Sequence, residues 1–184
     1  EDFDTMVDTG KLPYGVTSPF RQIPVMEIDG QVVGQTAGIA RFCGKLSGLY
    51  PKNDDMLAAQ IDQIIDAAND ITNLVGLTMR EKDLDKRKLE RQKLSKEVLP
   101  KWFGFLENLL TENKSSEWFV GDKMSVADLA IWRLLGWIIS GKLEHVPTTL
   151  LDTFPKLAKL YKGVDSHPKV QEWISLKYPK KYTS

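Results

Sequence analysis

The spacing of apolar positions changes near residue 50, and the change divides the chain. Before it, short apolar runs alternate with turns. Val25, Met26 and Ile28 form one run, closed by Asp29-Gly30, and Val32 and Val33 follow at once. Two strands joined by Asp-Gly give a strong hairpin signal, because that dipeptide accepts the left-handed backbone of a tight turn. Positions 36–45 read as a helix on which Ile39, Ala40, Phe42 and Cys43 share a face, stopped by Gly44 or Gly48. Positions 2–7 suit one further strand, and positions 11–19, with Pro13, Gly15 and Pro19, are irregular.

After a linker at positions 49–53 the spacing becomes helical. Leu57, Ile61, Ile64, Ile65, Ala68 and Ile71 recur at three- and four-residue steps, which predicts a long helix over 54–80. A charged segment of alternating sign follows at 81–96. It reads as the solvated start of a second long helix, with Leu84, Leu89 and Leu94 as its inner face. That helix continues through Trp102, Phe105, Leu106 and Leu109, and Pro100 should kink or restart it. Positions 125–140 are apolar nearly all round, which predicts a central helix. Shorter helices at about 154–164 and 168–176 close the chain.

Composition narrows the chemistry. The 184 residues include 25 Lys+Arg and 25 Asp+Glu, so a balanced charge gives no reason to expect nucleic acid or an acidic membrane as partner. The longest apolar stretch, 129–139, is broken by Arg133 and is too short to span a bilayer. One cysteine, Cys43, allows no internal disulfide, and with two histidines the chain has too few ligands for a structural zinc site, so no metal is expected. Cys43 itself reads as core.

Three local motifs carry more. Ser125 and Asp128 stand at capping-box spacing, with Met124 and Leu129 as a hydrophobic staple. Asp128 could serve as a catalytic acid, but a structural cap is the preferred reading, with a cost of about 1–2 kcal/mol on its loss. Gln22-Ile23-Pro24-Val25 places a proline directly before a strand. Either this is a simple strand start, or a cis bond turns the main chain of Ile23 outward to pair with an extended peptide. Gln35-Thr36 opens a helix, where Thr36 could cap the end or help to hold an anion.

The order of these features resembles the cytosolic glutathione transferases. Strand, turn and strand are followed by Gln35-Thr36-x-x-Ile39-Ala40-Arg41, a linker, and a helical region containing Gly121-Asp122-x-x-Ser125-x-Ala127-Asp128. The stretch from Ser18-Pro19-Phe20-Arg21 to Ile28-Asp29-Gly30 is most similar to sigma-type members. The resemblance implies an α/β plus all-α fold. A thioredoxin-like, glutathione-binding domain would occupy 1–48, incomplete at its N-terminus, and an all-helical domain 54–184.

The resemblance also implies roles. Ile23 before a cis Pro24 would bind the cysteinyl backbone of glutathione, with Gln22 beside the glycyl end. Gln35 and Thr36 would hold the γ-glutamyl carboxylate. Asp66 would reach the γ-glutamyl amine of a partner subunit, or else is a plain surface carboxylate. Lys11 stands where the family usually has a Trp, and is a candidate for the glycyl carboxylate. Thr72, Gly76, Leu77, Trp132 and Gly136 would wall an acceptor pocket between the first and third long helices. Plain packing suits them equally and is favoured for Trp132. Trp173, Tyr178 and Tyr182 would cover that pocket or close the core.

The family's thiol-activating hydroxyl ends its first strand, and this chain reads as starting at the second. Tyr14 stands in the wrong place to replace it. The chain opens on Glu1 rather than Met, so the catalytic residue is expected upstream. The leading expectation is therefore a cytoplasmic, homodimeric transferase, with glutathione as co-substrate, no permanent cofactor, and small apolar electrophiles as acceptors. The alternatives are a non-catalytic binding or structural protein on the same fold, and a subunit-interaction module of a larger assembly.

Overall fold

Asp29 and Gly30 both adopt positive φ, 50° and 75°, and they close the predicted hairpin. Strand β1 (Val25–Ile28) pairs antiparallel with β2 (Gln31–Gly34), with Val25 opposite Gly34 and Ile28 opposite Gln31. The computed structural model describes residues 2–12, 15–114 and 116–177. It divides into two units, Glu1–Asp54 and Asp55–Ser184.

In the first unit the expected strand at 2–7 is instead a helix, α1 (Asp2–Thr9). A strand's two-residue period would put Asp2, Asp4 and Asp8 on the same face as Met6. Met6 is fully buried, and a strand would carry that acidic row inward with it. On the helix Asp4 and Asp8, two residues either side of Met6, turn away from it and are exposed. Gly10 at φ 78° ends the helix by donating to the Met6 carbonyl.

Helix α2 (Thr36–Ser47) follows β2 and ends at Gly48, in the left-handed conformation. Its buried residues are Ala37 and Gly44, two turns apart and small, which lets the helix lie close on both strands. Phe42 and Cys43 do not join that face. Both are exposed, with the Cys43 thiol 4.0 Å from the Met26 sulfur at the margin of the contact. The core reading of Cys43 is thus corrected: small residues, not the large apolar ones, set the inner face.

The second unit is helical. Helix α3 (Asp55–Arg80) buries Ile61, Ile64, Ile65, Ala68 and Ile71, the stripe that the sequence predicts. Helix α4 (Leu84–Lys93) starts at Asp83, whose carboxylate accepts from the amides of Asp85 and Lys86. Leu84 and Leu89 are each 66% exposed, and only Leu94 is buried, so the expected inner face is corrected. Residues five apart on a helix diverge by about 140°, so these three leucines cannot share a face. The buried position on α4 is Arg91, whose guanidinium donates to Thr78 Oγ1 and to the Glu144 carbonyl, both at 3.4 Å.

Pro100 restarts the helix, as expected, but through a widened turn. Leu94–Val98 form a π-turn, in which Leu99 N–H donates to the Leu94 carbonyl, and α5 (Leu99–Glu112) continues from there. Pro100 has no N–H for the Lys96 carbonyl, and the wider turn takes up the unmatched position. Helix α6 (Val126–Ile138) packs against α3 and against α7 (Pro155–Asp165), with α8 (Pro168–Lys177) last. Glu107 of α5 accepts from the amides of Lys156 and Leu157, both at 2.8 Å, and so caps the start of α7. No helix among the described residues is long and apolar enough to cross a membrane.

Candidate functional site

The hairpin register brings two motifs together. Because Val25 faces Gly34, the residues one step beyond the ladder are Pro24 and Gln35. The open end of the hairpin therefore juxtaposes Ile23-Pro24 with Gln35-Thr36. The Ile23–Pro24 bond is cis, Ile23 is 60% exposed, and neither its N–H nor its C=O is hydrogen-bonded among the described residues. Gln35 is held at φ 74°, ψ 122°, a conformation that a residue with a Cβ rarely takes.

No side chain caps α2. Thr36 is its first residue rather than its cap, is exposed, and makes no hydrogen bond through its hydroxyl among the described residues. The first amides of α2 thus face outward next to an unpaired stretch of main chain, and a helix start of this kind attracts a carboxylate. A latch supports the loop before it. Ser18, nearly fully buried, donates from Oγ to the Gln22 carbonyl at 2.8 Å and accepts from Gln22 N–H at 3.0 Å. The main chain of Gln22 is therefore occupied, while its side chain is exposed. Ser18 was visible only as part of a longer motif, because nothing local marks a serine as a loop latch. Lys11 is exposed, and its main chain bridges Thr17. Tyr14 lies outside the described residues.

The second unit holds a cleft of about 820 Å³. Thr72, Gly76, Leu77 and Met79 of α3 line it, opposite Trp102 of α5 and Trp137 of α6. Asp70, Asn73, Leu74 and Arg80, also on α3, complete the lining. The Thr72 hydroxyl is taken up by the Ala68 carbonyl at 2.7 Å, so it adds no free donor. A side-chain carbon added at Gly76 would meet nothing within 4 Å, so that glycine opens space rather than allowing close packing.

Trp132 and Gly136 do not line this cleft. The Trp132 indole donates to Asp165 Oδ1 at 3.2 Å, and a carbon added at Gly136 would lie 3.3 Å from the Tyr161 hydroxyl. Both residues, one turn apart, face α7. Trp137, about 100° further round the helix, turns to the cleft instead. For Trp132, contact with α7 is the packing reading favoured from sequence, and Gly136 takes the same alternative. Trp102, Met79 and Arg80 were missed, because helical periodicity marks the buried stripe and gives no sign to a cleft wall. Asp66 is exposed on α3, one turn before Asp70. Trp173 is 46% exposed on α8, and Tyr178 and Tyr182 lie outside the described residues.

Ser125 and Asp128 are structural. The capping box is complete. Asp128, fully buried, accepts from Phe119 N–H at 2.9 Å, from Ser125 N–H at 2.7 Å and from Ser125 Oγ at 2.9 Å. Burial pushes its carboxyl above the usual carboxylate range, against the opposing pull of these donors.

The family described as "Glutathione S-transferase, C-terminal domain" matches residues 69–177. The chain belongs to the glutathione S-transferase family. Mouse hematopoietic prostaglandin D synthase is 32% identical over 163 residues, which span 89% of this chain and 76% of that protein. Probable glutathione S-transferase 6 of Caenorhabditis elegans is also 32% identical, over 86% of this chain and 75% of that one. Among solved structures, prostaglandin synthase D of Nilaparvata lugens superposes with a TM-score of 0.80 at 25% identity, covering 97% of this chain and 81% of the other. The fold is accordingly a thioredoxin-like α/β part followed by the helical domain of the transferases.

Proposed function

We propose that this transferase lays glutathione across the open end of the β1–β2 hairpin. The protein is a glutathione-dependent enzyme, and its reaction is conjugation or isomerisation through the sulfur of that co-substrate. The observation that carries the site assignment is the uncapped start of α2 beside the unpaired main chain of Ile23. An extended peptide needs one donor and one acceptor from the strand edge, and Ile23 offers both. The γ-glutamyl carboxylate then lies on the first amides of α2, with Thr36 and Gln35 as side-chain partners. Gln22 flanks the glycyl end, and Lys11 is the candidate for the glycyl carboxylate.

Attack requires the thiolate. Lowering a thiol pKa by two units corresponds to about 2.7 kcal/mol, which a charge-assisted hydrogen bond to sulfur can supply. The acceptor, a small electrophile with an apolar body, takes the cleft walled by Thr72, Gly76 and Leu77. Homodimer formation and a cytoplasmic setting belong to the same reading, with Asp66 reaching the γ-glutamyl amine of the partner subunit. Phe42 and Leu46, four residues apart on α2 and both exposed, give such a dimer apolar surface to bury.

Retention on glutathione-agarose tests the site. The combined change Gln35→Ala and Thr36→Ala should abolish it while the helical signal persists. Unchanged retention would remove both residues from the site.

A further inference from the structure

The cleft in the helical unit has unlike ends. Asp70 and Arg80 are ten residues apart on α3, which separates them by about 15 Å along the axis. Between them α3 lines the cleft with Thr72 and Asn73 near the Asp70 end and with Leu74, Gly76, Leu77 and Met79 toward Arg80, and α5 and α6 contribute two indoles. Trp102 and Trp137 are each partly buried. Trp102 meets Phe105 edge to face at 6.1 Å, and the Arg133 guanidinium lies 5.8 Å from the Trp137 ring. Each indole is therefore held by a neighbour on its own helix while it lines the cleft. Unlike that of Trp132, neither indole N–H has a partner among the described residues. Arg80 is exposed at the end of α3 and pairs with no carboxylate among the described residues.

We infer that the acceptor of this enzyme is a flat aromatic molecule bearing a carboxylate or a similar anionic group, seated with its ring against Trp102 and Trp137 and its charge at Arg80. The inference rests on the transferase reading of the cleft. Two indoles favour a planar ring, through area and through stacking. Arg80 presents a planar, permanently charged fork that matches a carboxylate. Asp70 repels the same charge, so the two ends of the cleft fix the direction in which the acceptor lies. Because Arg80 is open to water, its effect is modest in size and large enough to set a preference.

The test compares 2-naphthoate with 2-naphthamide, which differ in charge and hardly in shape. Binding is measured by calorimetry on the full chain at neutral pH, for the wild type and for the Arg80→Gln, Arg80→Lys and Trp137→Leu variants. The acid should bind roughly fivefold more tightly than the amide. Arg80→Gln should erase that preference and leave the amide affinity unchanged, and Arg80→Lys should keep part of it. Trp137→Leu should weaken both ligands alike. Equal affinity for acid and amide in the wild type, a preference that survives Arg80→Gln, or no binding of either ligand would overturn the inference. Retention on glutathione-agarose, measured on the same preparations, reads the transferase site separately. Retention without the acid preference sinks the acceptor class alone, and the acid preference without retention sinks the glutathione site and upholds the selectivity of the cleft.

Discussion

Helix α2 of the α/β unit and three helices of the helical unit begin in opposite ways. In the helical unit α4, α6 and α7 each start on a carboxylate: Asp83 for α4, Asp128 with Ser125 for α6, and Glu107, reaching across from α5, for α7. Their first amides are satisfied from within the protein. In the α/β unit, α2 starts on Gln35 with no side-chain cap and with a strained backbone. Unsatisfied amides at a helix end cost stability unless water or a ligand takes them. The contrast teaches that this chain has capping chemistry at hand and does not use it at the start of α2. That place is where the family binding reading puts a carboxylate from outside.

The comparison can be broken first at its strongest point. Asp128→Ala strands two buried donors, Phe119 N–H and Ser125 N–H, and should cost about 3 kcal/mol in denaturant-induced unfolding. A loss below about 1 kcal/mol would mean that those amides find other partners and that the α6 cap is dispensable.

At α2 the sign should reverse. Thr36→Asp supplies the missing negative charge, so stability should rise by about 0.5 kcal/mol. Glutathione affinity should fall at least tenfold, because the new carboxylate would occupy the ground of the γ-glutamyl group. A variant that gains stability and binds glutathione as before would detach the open helix start from ligand binding.

The smallest effect sharpens the account of the α6 cap. Burial holds the Asp128 carboxyl above its ordinary value, so the native state keeps this proton to higher pH than the unfolded chain. The contribution to stability is then full below the unfolded carboxylate pKa, about 3.9, and is lost as pH rises through the raised native value. The advantage of the wild type over Asp128→Asn, which does not titrate, should shrink from acid to neutral pH in denaturant titrations. An advantage that grows with pH would mean that the amide donors outweigh burial.

Much of the fold was legible in the residues. The Asp29-Gly30 turn, the Ile61-to-Ile71 stripe and the Ser125–Asp128 box are local signals, each read within one turn or a few. The misreadings share a cause. Residues 2–9 form a helix because a strand would have faced Met6 inward along with its acidic neighbours, which depends on what lies above that face. Leu84 and Leu89 are exposed because the buried position went to Arg91, whose partners Thr78 and Glu144 are far off in sequence. Cys43 left the core because Ala37 and Gly44 let α2 lie closer to the strands.

For the site, sequence named the segments, and the hairpin register made them one place by setting Pro24 across from Gln35. Sequence left Trp132 and Gly136 open between an acceptor pocket and plain packing, since helical spacing says which residues share a face and not which neighbour that face meets; the structure packs both against α7. Capping, turn and periodicity signals act over a few residues, so the chain alone determined the elements and their order. Which side of α6 looks at α7 and which at the cleft, and where Arg80 stands relative to two tryptophans, depends on how whole helices pack. That was decided only in three dimensions, because packing energy is summed over contacts between residues distant in the chain.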